Sequence, residues 1–117
     1  MGRYFGTDGI RGEANKTLTV HTAFKIGLFL GNYFSNDHKG RIVIGKDTRI
    51  SSSMLEHALA AGICSGGSDA YLMHVGPTPA IAFLTRTQHF NCGVMISASH
   101  NPYYDNGIKI FDENGQK

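Results

Sequence analysis

"RIVIGKDTRISSSMLEHALAAGICSGGSDAYLMHV", residues 41–75, reads as strand, helix, strand. "RIVIGKD" (41–47) opens with a short apolar run that does not alternate with polar residues, as suits a buried parallel strand rather than an edge strand. Ser51, Ser52 or Ser53 can cap a helix. Met54, Leu55, Ala58, Leu59, Gly62 and Ile63 then fall on one face at three- and four-residue steps, and Gly66-Gly67 supplies the stop. "DAYLMHV" (69–75) is the next strand. Two strands joined by a helix of this length form a βαβ unit, which implies parallel strands.

The same alternation extends outward. Residues 3–5 fit a short strand leading into glycine-rich "GTDGIRG", with Gly6, Gly9 and Gly12. Thr19 can cap a helix whose apolar positions are Ala23, Ile26, Gly27, Leu30, Tyr33 and Phe34. "GPTPA" (76–80) opens a third helix, because proline is tolerated in a first turn. "GVMIS" (93–97) and "GIKIF" (107–111) complete the strands. Methionines and phenylalanines at helical or strand spacing are assigned to the core. The expected fold class is α/β: a three-layer α/β/α domain with a mixed, mostly parallel sheet covered on both faces.

Bulk properties narrow the function. The 117 residues suit one domain, and 41% hydrophobic against 17% charged residues can build a core. A formal charge of +2 with no basic run gives no footprint for nucleic acid. The most apolar long segment, "AFKIGLFLGNYF" (23–34), carries Lys25 and is too short to span a bilayer. With no signal region at its start, the chain reads as soluble and cytoplasmic, with no membrane partner. The six histidines are scattered singly and show no zinc-type spacing. Cys64 and Cys92 do not make a disulfide framework, and both fit small buried positions.

In parallel α/β sheets, ligands bind at the carboxyl ends of the strands. Three strand ends carry chemistry here: Thr7, Asp8 and Arg11; Lys46, Asp47, Thr48 and Arg49; Ser99, His100 and Asn101. If the strands are parallel neighbours, these groups converge on one crevice rich in cation and hydroxyl, which suits phosphate. Each has a plainer reading alone. The glycines could only make tight turns, "KDTR" could be a solvated loop with a surface ion pair, and "ASHNP" could be a capped turn. His57 and His89 fit helix surfaces, and His74 a strand. Convergence of three phosphate-compatible loops favours a site.

"FGTDGIRG", "GKDTR", "PTPA" and "MISASHNP…DNGIK" occur together and in order. This combination resembles the N-terminal region of the bacterial phosphoglucosamine mutases, within the α-D-phosphohexomutase superfamily. The resemblance covers essentially the whole chain, which it identifies as an incomplete domain I (1–117) of a longer, multidomain protein. It implies that Ser99, directly before His100-Asn101-Pro102, is a phosphoserine that exchanges its phosphoryl group with a sugar. It implies that His100, Lys109 and Arg11 line the site, with Thr7, Lys46, Arg49 and Asn101 around the phosphate. It also implies Mg²⁺, held through the phosphate on Ser99 and by an aspartate-rich loop that this sequence lacks. The expected substrate is a phosphorylated amino sugar, and the expected partners are the missing domains. The 117 residues alone are then expected to be inactive. Other readings are a mutase for another hexose phosphate (phosphomannomutase or phosphoglucomutase) and a non-catalytic α/β phosphate-binding module. Two local departures stand out: Ser52 replaces a family glycine after Arg49-Ile50-Ser51, and Gly76 sits close to the proline turn.

Overall fold

Elements alternate along the chain as the apolar periods require. A computed structural model describes residues 10–13, 20–47, 50–96 and 105–116. They form β1 (Ile10–Glu13), α1 (Val20–Tyr33), β2 (Arg41–Lys46), α2 (Ile50–Gly66), β3 (Asp69–Val75), α3 (Thr78–Thr87), β4 (Cys92–Ile96) and β5 (Asp105–Phe111). The sheet order is β1-β5-β4-β2-β3. β2 lies between β3 and β4 and is parallel to both. β5 is antiparallel to β4 and to β1, so β1 to β4 run one way and β5 returns. The sheet is mixed and mostly parallel in strand direction, as expected.

Side-chain alternation along the strands divides the core in two. Ile42, Ile44, Val94, Ile96 and Ile108 point to one face, where α1 and α2 cover them with Ile26, Leu30, Leu55, Leu59 and Ile63. Val43, Met95 and Phe111 point to the other face and meet Ile81 of α3. These are the three layers of an α/β/α domain. The α2 stop is a Schellman turn: Gly67 takes φ +108°, its N–H donates to the Cys64 carbonyl, and the Ser68 N–H donates to the Ile63 carbonyl. The buried Ser68 hydroxyl then donates to the Gly31 carbonyl at 2.7 Å, tying this turn to α1.

α1 and α2 pack backbone against backbone. A Cβ at Gly27 would collide with the Leu59 carbonyl, and one at Gly31 with the Ile63 carbonyl. From the other side, a Cβ at Gly62 would strike the Phe24 carbonyl, and one at Gly66 the Leu28 carbonyl. Each helix therefore presents two glycines one turn apart to its neighbour.

Several local expectations are corrected. The strand expected over 3–5 and the Thr19 cap lie outside the described residues, whereas "IRGE" (10–13) of the glycine-rich stretch is itself a strand. α2 begins at Ile50, which places Ser51, Ser52 and Ser53 inside its first turn rather than before it. Tyr33 is 61% exposed, because α1 turns it away from the sheet just as its last turn ends. Phe24, Phe29 and Phe83 are also exposed. Cys64 is exposed while Cys92 is buried. Cys64 follows Ile63 directly and so falls off the helix's apolar stripe.

The helix contact and the two thiols each lend themselves to a test. Alanine at position 62 should be favoured by intrinsic helix propensity by about 1 kcal/mol. The collision with the Phe24 carbonyl opposes it, and overpacking of this kind costs about 1–3 kcal/mol or more. Gly62→Ala should therefore lower the urea midpoint, while Ser65→Ala on the exposed face of α2 should not; a raised midpoint for Gly62→Ala would refute the close contact. For the thiols, burial first and the Asp112 carboxylate second push Cys92 from 9.0 up to about 12. Its folded-state pKa is raised, so the unfolded chain loses the proton first and stability declines as pH rises from 9.0 towards about 12. Iodoacetamide at pH 8 should alkylate Cys64 promptly and reach Cys92 only on unfolding, as read by peptide mass mapping.

Candidate active site

The three adjacent parallel strands β4, β2 and β3 end flush. Lys46 is in register with Ile96 on β4 and with Val75 on β3. β5 starts above this level, since Ile108 is the residue opposite Ile96, and β1 pairs alongside with Arg11 opposite Gly107. The carboxyl edge thus gathers the ends of β2, β3 and β4 with the upper parts of β1 and β5. The connection 97–104 leaves β4 and returns to its neighbour β5 at this edge.

Ser99, His100 and Asn101 belong to that connection and lie outside the described residues, as do Thr7 and Arg49. Arg11, expected in a loop, has its backbone within β1. Lys109 is half-buried on β5 opposite Met95, on the α3 side of the sheet with Phe111. Positions 11 and 109 are diagonal neighbours on the β1–β5 ladder, because Arg11 pairs with Gly107 and Lys109 follows two residues on. These two cation positions come together at one end of the edge.

Lys46 is elsewhere. Ile42 and Ile44 point to the α2 face, and Lys46 follows in the same phase, so it projects onto α2. Its Nζ donates to Ser53 Oγ at 2.5 Å and lies 3.9 Å from Glu56 Oε1, with the lysine side chain 14% exposed. Lys46 and Lys109 therefore occupy opposite faces of the sheet, and the structure does not bring them together.

Glu56 is the residue that sequence reasoning missed. It is 1% exposed, and among the described residues its Oε2 has no hydrogen-bond partner. His74 Nδ1 stands 3.8 Å from that oxygen. The β2–β3 register slips by one residue between Leu72 and His74, and His74 takes φ +66°. A signal was present in the sequence: Glu56 sits seven residues before Ile63 and three before Leu59, beside the apolar stripe of α2.

At the opposite edge, Phe29, Leu30, Tyr33, Phe34, Cys92 and Ile110 help line an apolar groove of about 450 Å³. It gathers no cations for a phosphate. Among the described residues no three His, Cys, Asp or Glu side chains come together to hold a metal ion. None of their helices is long and apolar enough to cross a membrane.

Comparison with known proteins gives this geometry its context. Residues 2–117 match the family model described as phosphoglucomutase/phosphomannomutase, alpha/beta/alpha domain I. A phosphoglucosamine mutase of Lachnoclostridium phytofermentans is 59% identical over 117 residues, covering 100% of this chain and 26% of that protein. The namesake of Mesorhizobium japonicum is 53% identical, over 99% of this chain and 26% of its own length. The chain thus spans about a quarter of these relatives. Among solved structures, a putative phosphomannomutase from Thermus thermophilus superposes with TM-score 0.84 at 31% identity, over 95% of this chain and 26% of that one. A phosphoglucomutase/phosphomannomutase family protein from Burkholderia thailandensis gives TM-score 0.85 at 28% identity, over 98% of this chain and 27% of that one. With its three layers, its strand order and this match across nearly every residue, the chain belongs to the phosphoglucomutase/phosphomannomutase family as an α/β/α domain I.

Proposed function

We propose that the chain is the N-terminal, incomplete domain I of a cytoplasmic phosphoglucosamine mutase, which interconverts glucosamine 6-phosphate and glucosamine 1-phosphate. The observation that carries this reading is 59% identity across the whole chain to a protein of that name. A mutase for another hexose phosphate is the second reading, because the solved neighbours are named for mannose and glucose substrates; their identities, 31% and 28%, are much lower. Assay of the full-length protein with glucosamine, mannose and glucose phosphates decides between them. A non-catalytic phosphate-binding module would convert none of them.

In the proposed reaction Ser99 carries the phosphoryl group. The sugar hydroxyl oxygen attacks phosphorus, the P–O bond to Ser99 breaks, and the sugar proton passes to a base, with His100 or Lys109 exchanging it. The sugar now holds two phosphates. Its other phosphoryl group then returns to the Ser99 oxygen, which restores the carrier and leaves the isomeric monophosphate. Such transfer needs alignment and neutralisation of spread negative charge more than covalent chemistry by the protein. Arg11 and Lys109, diagonal neighbours at the carboxyl edge, support this role as the positive lining. Family membership implies a metal; we take it as Mg²⁺ at the Ser99 phosphate, with its carboxylates supplied from outside these residues.

In the full-length protein, Ser99→Ala should remove nearly all mutase activity and Ser97→Ala much less. Phosphopeptide mapping should find the phosphate on Ser99; a label confined to Ser97 would overturn the assignment. Lys109→Met and Arg11→Met should each cost about 2–4 kcal/mol of transition-state stabilisation, as for loss of one preorganised donor. Melting temperature should change little, since Lys109 belongs to neither core cluster. Unfolding of Lys109→Met with normal activity in the surviving fraction would assign it to structure instead.

A further inference from the structure

Around Glu56 four polar side chains from three elements meet at the carboxyl edge. α2 supplies Glu56 and Ser53, β2 supplies Lys46, and β3 supplies His74. Lys46 Nζ donates to Ser53 Oγ at 2.5 Å and stands 3.9 Å from Glu56 Oε1; His74 Nδ1 stands 3.8 Å from Glu56 Oε2. The glutamate is 1% exposed and the lysine side chain 14%, while the His74 side chain is 66% exposed.

Stability alone explains this arrangement poorly. Desolvating a carboxylate and an ammonium generally offsets their attraction, and apolar residues of similar volume do as well or better. One carboxylate oxygen has no hydrogen-bond partner among the described residues, which native interiors seldom tolerate without reason. At the same place the β3 ladder slips and His74 adopts φ +66°, a conformation that non-glycine residues rarely hold. A buried ion pair, an orphan acceptor and a strained residue coincide at the edge where α/β sheets bind ligands.

We propose that Glu56 is a positioning residue: its buried carboxylate holds the Lys46 ammonium beside Ser53 at the end of β2, keeping that charge fixed for a phosphate group of the substrate. This rests on the mutase reading above. Lysine is a flexible point charge on a four-carbon stem, and alone it would follow bulk water off the strand end. Ser53 accepts one hydrogen bond from the ammonium, and Glu56 supplies the charge that keeps the ammonium in a largely buried place. Donors on the ammonium remain for an incoming phosphate. Glu56 itself, closed off by α2 and the sheet, does not touch the substrate.

The test has two arms on the full-length protein. In the first, acetic anhydride labels lysines and peptide mass spectrometry reads each rate, with exposed Lys25 and Lys39 as internal references. Lys46 should label slowly in the wild type and roughly ten- to a hundredfold faster in Glu56→Gln, the scale on which loss of positioning is felt. If Glu56→Gln cannot be purified folded, Glu56→Asp, which keeps the charge but withdraws it, should give the same direction of change. Unchanged Lys46 labelling in the variant overturns the proposal. The second arm measures kcat and KM for the sugar phosphate. Glu56→Gln and Lys46→Met should lower kcat/KM to a similar degree, and the double variant should fall no further. Additive losses, or full activity in Lys46→Met, overturn the link to substrate. If the wild type turns over no hexose phosphate, the mutase reading fails, while the labelling arm still decides whether Glu56 holds Lys46.

Discussion

Two helices that touch through their backbones set the geometry on which the candidate site depends. Gly27 and Gly31 on α1 leave room for the carbonyls of Leu59 and Ile63, while Gly62 and Gly66 on α2 leave room for those of Phe24 and Leu28. Contacts through carbonyls cannot be adjusted by changing a rotamer, so the axial position of α2 relative to α1 is fixed closely. Ile26, Leu55, Leu59 and Ile63 then seat both helices on one layer formed by Ile42, Ile44, Val94, Ile96 and Ile108. With α2 held at that height, its second turn overlies the end of β2. That placement brings Ser53 and Glu56 to Lys46. The chemistry at the edge is thus set by packing that begins two turns away.

The direction of β5 is the second constraint. Had it run parallel to β4, its connection would have needed to cross the whole sheet, usually through a helix. Running antiparallel, it needs only the eight residues 97–104, which start and finish at the carboxyl edge. The strands on either side of this connection are stiff and buried: Val94, Met95, Ile96 and Ile108 are at most 2% exposed.

How much of this was legible in the sequence depended on the physical scale involved. Burial on both faces made "RIVIG" and "GVMI" apolar without interruption, so β2 and β4 stood out, and the βαβ order followed from alternation with helices. Gly66-Gly67 gave the α2 stop because only glycine takes φ +108° readily. Helix starts were harder: a serine reads as a cap wherever it stands, and here the three serines fall within the first turn. β1 was hidden because two of the glycines in "GTDGIRG" bracket "IR", and glycine in a strand looks like a turn. Cys64 was misjudged by residue type, since its position one step past Ile63 decides its exposure. For the site, strand-end chemistry pointed to Lys46 and the family resemblance to Lys109, but neither showed their separation onto opposite faces, which needs the phase of two strands in one register. Glu56 was passed over because a glutamate in an amphipathic helix is ordinarily solvated; its spacing from Leu59 and Ile63 hinted at burial, and tertiary packing shows it to be 1% exposed.

Charge in this chain is concentrated rather than abundant. The chain as a whole carries only +2, a value that gives no attraction for a polyanion at long range. Concentration at one edge is what matters for a phosphate. Positions 11 and 109 are diagonal neighbours on the β1–β5 ladder, and Lys109 lies on the α3 side of the sheet. Lys46 lies on the α2 side, its field partly cancelled by Glu56 and directed by Ser53. Between these two groups β4 ends at Ile96 and delivers the chain into the 97–104 connection. On the proposed reading, a phosphoryl group at that edge would have Lys109 on one face of the sheet and Lys46, paired with Ser53 and Glu56, on the other. An uneven field of this kind suits a phosphoryl group that has to be held and also released, because uniform tight binding would deepen the ground state without lowering the barrier.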